Sequence, residues 1–274
     1  MSLSIRTNVA SLVAQNNLSQ TQDALQTSMA RLSSGMRITK ASDDAAGLGI
    51  SVNLEAQIAS YNQASHNAND GISVTQTAEG ALNEVTNILS RLRELAMQAS
   101  SSGVSDTTPI TTEANQLASE LDRIGATTEY NGTKLLNGSA ATLTFQIGIR
   151  SSTNDHISID MSNMKANSSD LGLGAMSLAT ASSATTALGL IDTALSTVSQ
   201  DRGTLGAYAN RFQSVINTIQ SASQNLSAAD SRIRDVDVAA ETAALSRTQV
   251  LSQAGISVLA QANQMPQMAL KLLG

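Results

Sequence analysis

Near its two ends the chain reads LSQTQDALQTSMARL (residues 18–32) and LSQAGISVLAQANQMPQMALKL (residues 251–272). In both stretches an apolar residue recurs every seven positions. The repeats are Leu18, Leu25 and Leu32, with Gln22 and Met29 between them, and Leu251, Val258, Met265 and Leu272, with Gly255, Ala262 and Ala269 between them. This spacing places a narrow apolar seam along each helix, and such a seam needs a partner helix. We expect the two ends to pair with each other or with neighbouring copies of the chain.

The composition of the whole chain favours long helices. The 274 residues are 41% apolar but only 2% aromatic, so bulky aromatic anchors for a compact core are scarce. Pro109 and Pro266 are the only prolines, which leaves room for long uninterrupted helices.

The charge and the absence of certain residues narrow the function classes. A net charge of −6 argues against a nucleic-acid partner, which needs a basic face. Without cysteine the fold cannot depend on disulfides.

No run reaches the roughly 18 apolar residues of a membrane span, so we expect no membrane insertion. The first residues lack the blocks of a cleaved secretory signal, which leaves a cytoplasmic protein or export without such a signal.

Helical periodicity predicts five helices. Ile5, Val9 and Leu12 open a first helix over residues 3–34, which Gly35 ends. A second begins near Ser42-Asp43-Asp44 and runs to about residue 100 with a 4-3 apolar rhythm that includes Ile50, Leu54, Leu82 and Leu92, a rod of roughly 80 Å. A third follows Thr108 as its cap. A fourth spans about 188–226, with Arg202 on its apolar seam, and a fifth about 235–272.

Between the third and fourth helices the apolar period changes to two. Leu143, Phe145, Ile147 and Ile149 alternate with polar residues, and Ile157, Ile159 and Met161 do so again. This alternation predicts a β-hairpin with its bend at residues 151–155. The Ser-, Ala- and Gly-rich residues 163–186 are expected to be a surface-exposed connector.

These elements predict a mainly α fold, an elongated antiparallel helical bundle or coiled coil with a small β-hairpin region and a terminal helix pair. We expect residues 1–42 with 235–274 to form the terminal pair, and residues 43–234 to form a helical rod whose hairpin region covers about 130–162.

The sequence offers no convincing catalytic or metal site. His66 and His156 are the only histidines and fall in different elements, and with no cysteine they give little basis for zinc. Asp43 and Asp44 are explained by capping of a helix start. We therefore expect no enzyme activity and no cofactor. Arg91, Arg93 and Glu94 beside Leu95 form either a solvated helical face or a contact surface for another protein.

Several sequence blocks occur in order along the chain. They are Asn8 and Leu12, then QNNL (15–18), RLSSGMRI (31–38), DDAAG (43–47), QTAEGAL (76–82), RLRELA (91–96), YNG (130–132), LGA (205–207) with NRF (210–212), SRI (231–233), and QAG (253–255) with VLAQANQ (258–264). Through these blocks the chain resembles bacterial flagellin, the subunit of the flagellar filament, over nearly its full length.

The resemblance implies a structural protein that polymerises with many copies of itself for motility. It implies export through the flagellar type III apparatus to the extracellular filament, with export chaperone and cap or junction proteins as further partners. The terminal helices would form the inner tube and the longer helices a surrounding layer. Larger flagellins insert outer domains where this chain has residues 163–186, so the resemblance implies a short form that lacks them.

The resemblance also implies a second contact. In the family, the helical face matching Arg91, Glu94 and Leu95, with a position matching Glu113, is recognised by the innate immune receptor for flagellin. The assembly seam predicted from the periodicity consists of Ile5, Val9, Leu12, Leu18, Leu25, Leu32, Leu251, Val258, Met265 and Leu272.

Three other functions remain open on the sequence. A hook–filament junction protein resembles flagellin at both ends, but here the similarity continues through the middle. A cytoplasmic helical-hairpin signalling module has a similar composition, but the hairpin and the two terminal stripes argue against it. An enzyme is the weakest alternative because no site supports it.

Overall fold

The computed structural model describes residues 7–101, 106–138 and 142–273, with side chains up to Met265 in the last helix. Within these ranges the chain is mainly helical, as predicted. The elements are α1 (Val9–Ser34), α2 (Ala45–Ser100), α3 (Thr108–Thr127), β1 (Glu129–Tyr130), β2 (Thr133–Lys134), β3 (Leu143–Gln146), a 3-10 turn (Thr153–Asp155), β4 (His156–Ile159), α4 (Ala181–Arg234) and α5 (Val238–Leu273).

The chain divides into two compact units. Unit 1 comprises Met1–Ala56 with Asn225–Gly274, and unit 2 comprises Gln57–Gln224. Unit 1 therefore contains α1, α5 and the adjoining ends of α2 and α4. Unit 2 contains α3, the four strands and the remaining parts of α2 and α4.

The first helix begins later than predicted. It starts at Val9, because the Asn8 side chain caps it by accepting a hydrogen bond from the Ser11 N–H at 3.1 Å. It ends as predicted at Gly35, which has a φ of 72°. This left-handed geometry is accessible to glycine at little cost, so the helix stops there.

The second helix begins where the acidic pair predicts. Asp44 Oδ1 accepts the Gly47 N–H at 2.9 Å, an N-terminal capping contact. Asp43 acts differently, because its Oδ2 accepts the backbone N–H groups of Thr39 and Lys40 at 3.0 Å each and the Thr39 hydroxyl. These bonds fix the connector before α2 and lower the pKa of the Asp43 carboxyl.

The third helix begins at Thr108, with Thr107 rather than Thr108 at the N-cap position. The Asp106 side chain reaches forward and accepts the Thr108 N–H at 2.9 Å. A short acidic side chain before the proline therefore takes part of the role expected of Thr108. Ile110, Ala114, Leu121 and Ile124 recur at helical spacing and are buried.

In unit 2, α2 and α4 pack antiparallel. Arg93 Nε lies 2.7 Å from Asp192 Oδ1, and Glu79 Oε1 lies 3.9 Å from Arg202 Nη2. Arg202, which interrupts the apolar seam of α4, therefore forms an ion pair with a carboxylate of α2. Further along, Gly71 faces the ring of Phe212, where a β-carbon would lie only 2.5 Å from the ring Cζ. Phe212 also packs edge-on against Phe145, with ring centroids 5.5 Å apart, which joins the hairpin to the helices.

The predicted β-hairpin is confirmed, but its first strand ends at Gln146, so Ile147 and Ile149 lie in the bend before β4 rather than in a strand. Leu143 pairs with Ile159 and Phe145 with Ile157, so the apolar side chains share one face. The Asn67 side-chain amide donates to the Gln146 carbonyl at 2.8 Å and fixes the hairpin to α2. The Asn131-Gly132 turn, with φ of 48° and 77°, closes a second, two-residue hairpin (β1–β2) that the periodicity was too short to indicate.

The expectation of a surface-exposed connector at residues 163–186 is wrong. Its first part is irregular, but its apolar residues pack into the core of unit 2, and α4 already begins at Ala181. The buried residues are Met164, Ala166, Leu171, Leu173 and Leu178. Backbone bonds hold the segment, since the Ala166 N–H donates to the Leu136 carbonyl at 3.1 Å and the Ser168 N–H donates to Asp122 Oδ1 at 2.7 Å.

One position on the predicted seam of α2 departs from expectation. Ile50 is 53% exposed, whereas Leu82, Leu89 and Leu92 are fully buried. The apolar repeat of α2 therefore marks buried positions in unit 2, whereas at the start of the helix it includes an exposed residue.

Candidate assembly surface

The terminal helices α1 and α5 pack antiparallel within unit 1. At one end the Asn8 amide donates to the Ala262 carbonyl at 2.8 Å, and the Ser11 hydroxyl bonds to Asn263 Oδ1 at 2.8 Å. At the other end Arg31 Nη1 lies 3.9 Å from Glu241 Oε2. Between them Leu18 lies against Gly255, where an added β-carbon would be 3.3 Å from Leu18 Cδ1. The predicted pairing of the two ends is therefore present within one subunit.

The face that α1 turns toward α5 follows a 3-4 spacing. Its less exposed positions are Ser11, Ala14, Leu18, Thr21, Leu25, Ser28 and Leu32. Leu18, Leu25 and Leu32 lie on this face, as predicted, but Thr21 and Ser28 lie between them instead of Gln22 and Met29. Met29 is 56% exposed. Among the residues of α1 only Ala14 and Ser28 are buried, so the pair of terminal helices contains few fully covered side chains.

The apolar repeat of α5 lies beside its covered face. Its less exposed positions include Leu245, Thr248, Ser252, Gly255, Leu259 and Ala262. Leu251, Val258 and Met265 are 52%, 52% and 59% exposed. At about 100° per residue, these two sets form adjacent stripes on one helix. One partner helix covers the first stripe and leaves the second in solvent.

The two described seam residues at the start of α1 are also exposed. Val9 and Leu12 are 62% and 56% exposed, so α5 of the same subunit does not cover them. Ile5 lies outside the described residues. For Leu272 only the helical backbone is described.

Exposed apolar side chains are concentrated in unit 1. In the described part of the chain the exposed large apolar residues are Val9, Leu12, Val13, Met29, Ile50, Val52, Met97, Val238, Val250, Leu251, Ile256, Val258 and Met265. All of them except Met97 belong to unit 1. Surface apolar area gathered in this way is typical of an interaction surface.

A pair of backbone contacts joins the connectors next to the terminal helices. The Arg37 N–H donates to the Arg234 carbonyl at 2.6 Å, and the Val236 N–H donates to the Gly35 carbonyl at 3.0 Å. The Arg37 guanidinium adds two bonds to the Ile233 carbonyl, at 2.6 and 3.2 Å. Sequence reasoning missed this bridge because residues so far apart in sequence carry no local signal for it.

The structure brings together the polar members of the predicted contact face in unit 2. Arg91 Nε donates to Glu113 Oε1 at 2.8 Å, and Arg91 Nη1 donates to Glu94 Oε2 at 2.9 Å. These bonds, that to Glu113 foremost, raise the pKa of the Arg91 guanidinium. Arg93 is separate from this cluster and pairs with Asp192.

Leu95 does not join this face. Its side chain is 2% exposed and belongs to the core of unit 2, so the expectation of an exposed apolar residue beside the arginines is wrong. The next residue in α2 with an exposed apolar side chain is Met97, at 55% exposure.

The described residues give no support for a metal site or a membrane span. Among the described residues, three or more histidine, aspartate or glutamate side chains do not gather as metal ligands would. The described helices also contain no stretch with the length and apolar character of a membrane span.

Comparison with known proteins gives consistent matches along the chain. Residues 5–141 match the family described as the bacterial flagellin N-terminal helical region, and residues 188–273 match the bacterial flagellin C-terminal helical region. The chain is 43% identical to flagellin of Halalkalibacterium halodurans over 271 residues, which cover 98% of this chain and 99% of that protein. It is 41% identical to flagellin of Bacillus subtilis, with coverages of 98% and 99%.

A more distant relative is longer. Polar flagellin F of Vibrio parahaemolyticus is 33% identical, with both chains covered completely in an alignment of 379 positions. Because this chain has 274 residues, the relative contains residues that this chain lacks.

Proposed function

Because this chain belongs to the bacterial flagellin family and is a non-enzymatic structural subunit of the flagellar filament, we propose that its subunits join through the exposed apolar stripes of α1 and α5. The observation that carries this proposal is the concentration of exposed large apolar residues in unit 1. Burial of a large aliphatic side chain contributes about 1.5–3 kcal/mol, and half of each such side chain remains to be covered.

The geometry of α5 supports a helix-on-helix contact. Leu251, Val258 and Met265 recur every seven residues on a face that α1 leaves in solvent. Such a stripe fits into the grooves of a neighbouring helix. Contacts between different faces of identical subunits, related by a rotation that does not close, generate an open helical polymer.

The terminal pair is proposed to become fully ordered only during assembly. Leu18, Leu25 and Leu32 are only partly covered by α5. Isolated helices of this kind gain little from propensity and depend on packing to offset their loss of conformational entropy. In the filament, neighbouring subunits supply the packing that a single subunit lacks.

We further propose the layered organisation that the resemblance implies. Residues 1–42 with 235–274 would form the inner core of the filament, and residues 43–234 the surrounding rod. We also propose that the chain is a short form without outer domains between β4 and α4. The longer Vibrio relative is consistent with such a short form.

The cellular route is also part of the proposal. The subunit would leave the cell through the flagellar type III apparatus, assisted by an export chaperone, and would meet cap and junction proteins at the extracellular filament. Family membership supports this route.

For the innate immune receptor for flagellin we propose contact through Arg91, Glu94 and Glu113. The ion pairs at 2.8 and 2.9 Å hold the three side chains in one exposed cluster. Leu95 would act indirectly, by anchoring this part of α2 in the core. Monomer binding to the receptor should fall for Arg91→Ala and be retained for Arg93→Ala, since Arg93 pairs elsewhere. Equal binding by wild type and Arg91→Ala would reject this site.

The assembly proposal is tested on the α5 stripe. Leu251→Gln with Val258→Gln should raise the critical concentration for seeded polymerisation at least about tenfold, since the loss of roughly 1 kcal/mol at each residue is enough for this change. Met97→Gln is the matched control outside unit 1 and should polymerise like wild type. An unchanged critical concentration in the double variant would refute the role of the stripe.

A further inference from the structure

Unit 2 contains an open cleft of about 590 Å³ between α2 and the two hairpins. From α2 the cleft is lined by Asp70 and Val74, which lie about one helical turn apart. From β3 it is lined by Leu143 and Phe145, which alternate along the strand, and from β1 by Tyr130. The volume falls in the range of small-molecule sites, about 300–1,000 Å³.

The walls of the cleft combine aromatic rings with one negative charge. Tyr130 and Phe145 are both partly exposed, so part of each side chain is accessible, and the edge-on contact with Phe212 holds Phe145 in place. Among the described residues that line the cleft, Asp70 alone is charged. Its exposed carboxylate takes part in no hydrogen bond or ion pair within the described ranges. The cleft therefore offers an unpaired carboxylate beside two aromatic rings.

This lining selects one class of ligand. A metal ion such as Ca²⁺ requires about six to eight oxygen ligands, whereas most of the described wall of the cleft is aliphatic or aromatic. Aromatic rings attract organic cations, and quaternary ammonium groups are recognised in this way. A carboxylate close to the rings adds a direct attraction for the same charge. An organic cation with apolar groups therefore fits the cleft better than an anion or a metal ion.

The charge distribution along the chain favours the same class. Unit 2 has 14 acidic and 8 basic residues, whereas unit 1 has 8 of each, so the whole net charge of −6 falls on unit 2. A surface with one dominant sign of charge raises the local concentration of ligands of the opposite sign. The surroundings of the cleft therefore attract cations before any direct contact forms.

We propose that this cleft binds a small quaternary ammonium compound, with Asp70 beside the positive charge and Tyr130 and Phe145 against its methyl groups. Asn131 and Thr133, both exposed at the cleft, supply an amide and a hydroxyl for a polar substituent such as the choline hydroxyl. The same chemical group occurs in free choline and in the headgroup of phosphatidylcholine. The site uses no residue of α1 or α5, so it does not depend on the assembly proposal.

Titration of choline chloride into the isotope-labelled full-length monomer, followed by amide chemical shifts, tests the site. We expect saturable shifts at Asp70, Asn131 and Thr133, with a dissociation constant in the millimolar range. The compound 3,3-dimethyl-1-butanol has the shape of choline without its charge and should bind at least about tenfold more weakly. Equal affinity for the two compounds, or no saturable shift with choline, would overturn the proposal.

Two variants test the residues that define the site. Asp70→Asn and Tyr130→Leu should each weaken choline binding at least about threefold, and their melting temperatures show that they fold. Glu84→Gln removes a carboxylate from another exposed position of α2 and should change the affinity less than twofold. Because Asp70→Asn and Glu84→Gln change the net charge equally, their difference reports on position. Wild-type affinity in Asp70→Asn would refute the site.

Cosedimentation with phosphatidylcholine vesicles separates the two sources of the group. Retention of wild type but not of Asp70→Asn would show that the cleft also accepts the lipid headgroup. Choline binding without such retention would assign the site to the free compound. Binding of neither would overturn the proposal.

Discussion

Gly71 illustrates how a single residue fixes the distance between two helices. A β-carbon there would come within 2.5–2.8 Å of three ring carbons of Phe212, which is fully buried. Overpacking of a well-packed core costs about 1–3 kcal/mol. We therefore expect Gly71→Ala to lower the free energy of unfolding by about that amount in urea denaturation.

Gly80 supplies the matched control for this substitution. It lies in the same helix with no heavy atom of another element within 4 Å of its added β-carbon. Gly80→Ala should raise stability by up to about 1 kcal/mol through helix propensity. If Gly71→Ala proved as stable as Gly80→Ala, the close packing against Phe212 would be disproved.

The Asp43 carboxyl should make the stability of the folded chain depend on pH. Hydrogen bonds from Thr39 and Lys40 lower its pKa in the folded chain. Its stabilising contribution is therefore complete above the unfolded pKa, near 3.8, and is lost as the pH falls through the folded value. The melting temperature of Asp43→Asn should lie below that of wild type at pH 7, and the difference should shrink as the pH falls below 3.8. A difference between Asp43→Asn and wild type that persists undiminished at pH 2 would contradict the role of the Asp43 carboxylate.

At the scale of elements, the sequence predicted the helices and the β3–β4 hairpin well, since both follow from local periodicity. The sequence predicted less well which face of each terminal helix is covered by the other. Leu18, Leu25 and Leu32 mark the covered face of α1, but Thr21 and Ser28 alternate with them because small side chains permit close approach to α5. On α5 the conspicuous repeat of Leu251, Val258 and Met265 is the uncovered stripe.

The segment before α4 shows why composition can mislead. Its many serine, alanine and glycine residues are typical of exposed connections, yet most of its leucines and methionines belong to the core of unit 2. Their partners are far apart in sequence, so no local pattern indicates the burial. The same reason explains the burial of Leu95 beside the exposed Arg91 cluster.

A substitution within this segment tests its packing. Leu173 is 4% exposed, so Leu173→Ser should lower the free energy of unfolding by at least about 2 kcal/mol. Ala175→Ser, at an exposed neighbouring position, should stay within about 0.5 kcal/mol of wild type. Equal stability of the two variants in urea would show that the segment is not part of the core.

At the scale of the whole molecule, the two units have different roles. Unit 2 holds nearly all the large buried side chains, and unit 1 holds nearly all the exposed ones. Deletion of residues 236–274 should therefore leave a soluble chain with a cooperative melting transition and no ability to polymerise. Circular dichroism and sedimentation after a salt-induced assembly step check both statements. Normal filaments from this truncation would contradict the assignment of assembly to the terminal helices.

The central claim is that the terminal helices gain their stability from neighbouring subunits. Amide hydrogen exchange in dilute, unassembled protein tests it most directly, because exchange reports local opening along the whole chain. We predict that α1 and α5 exchange at least a hundredfold faster than the parts of α2 and α4 in unit 2, and become protected in the filament. Equal protection of all four helices in the monomer would contradict the claim.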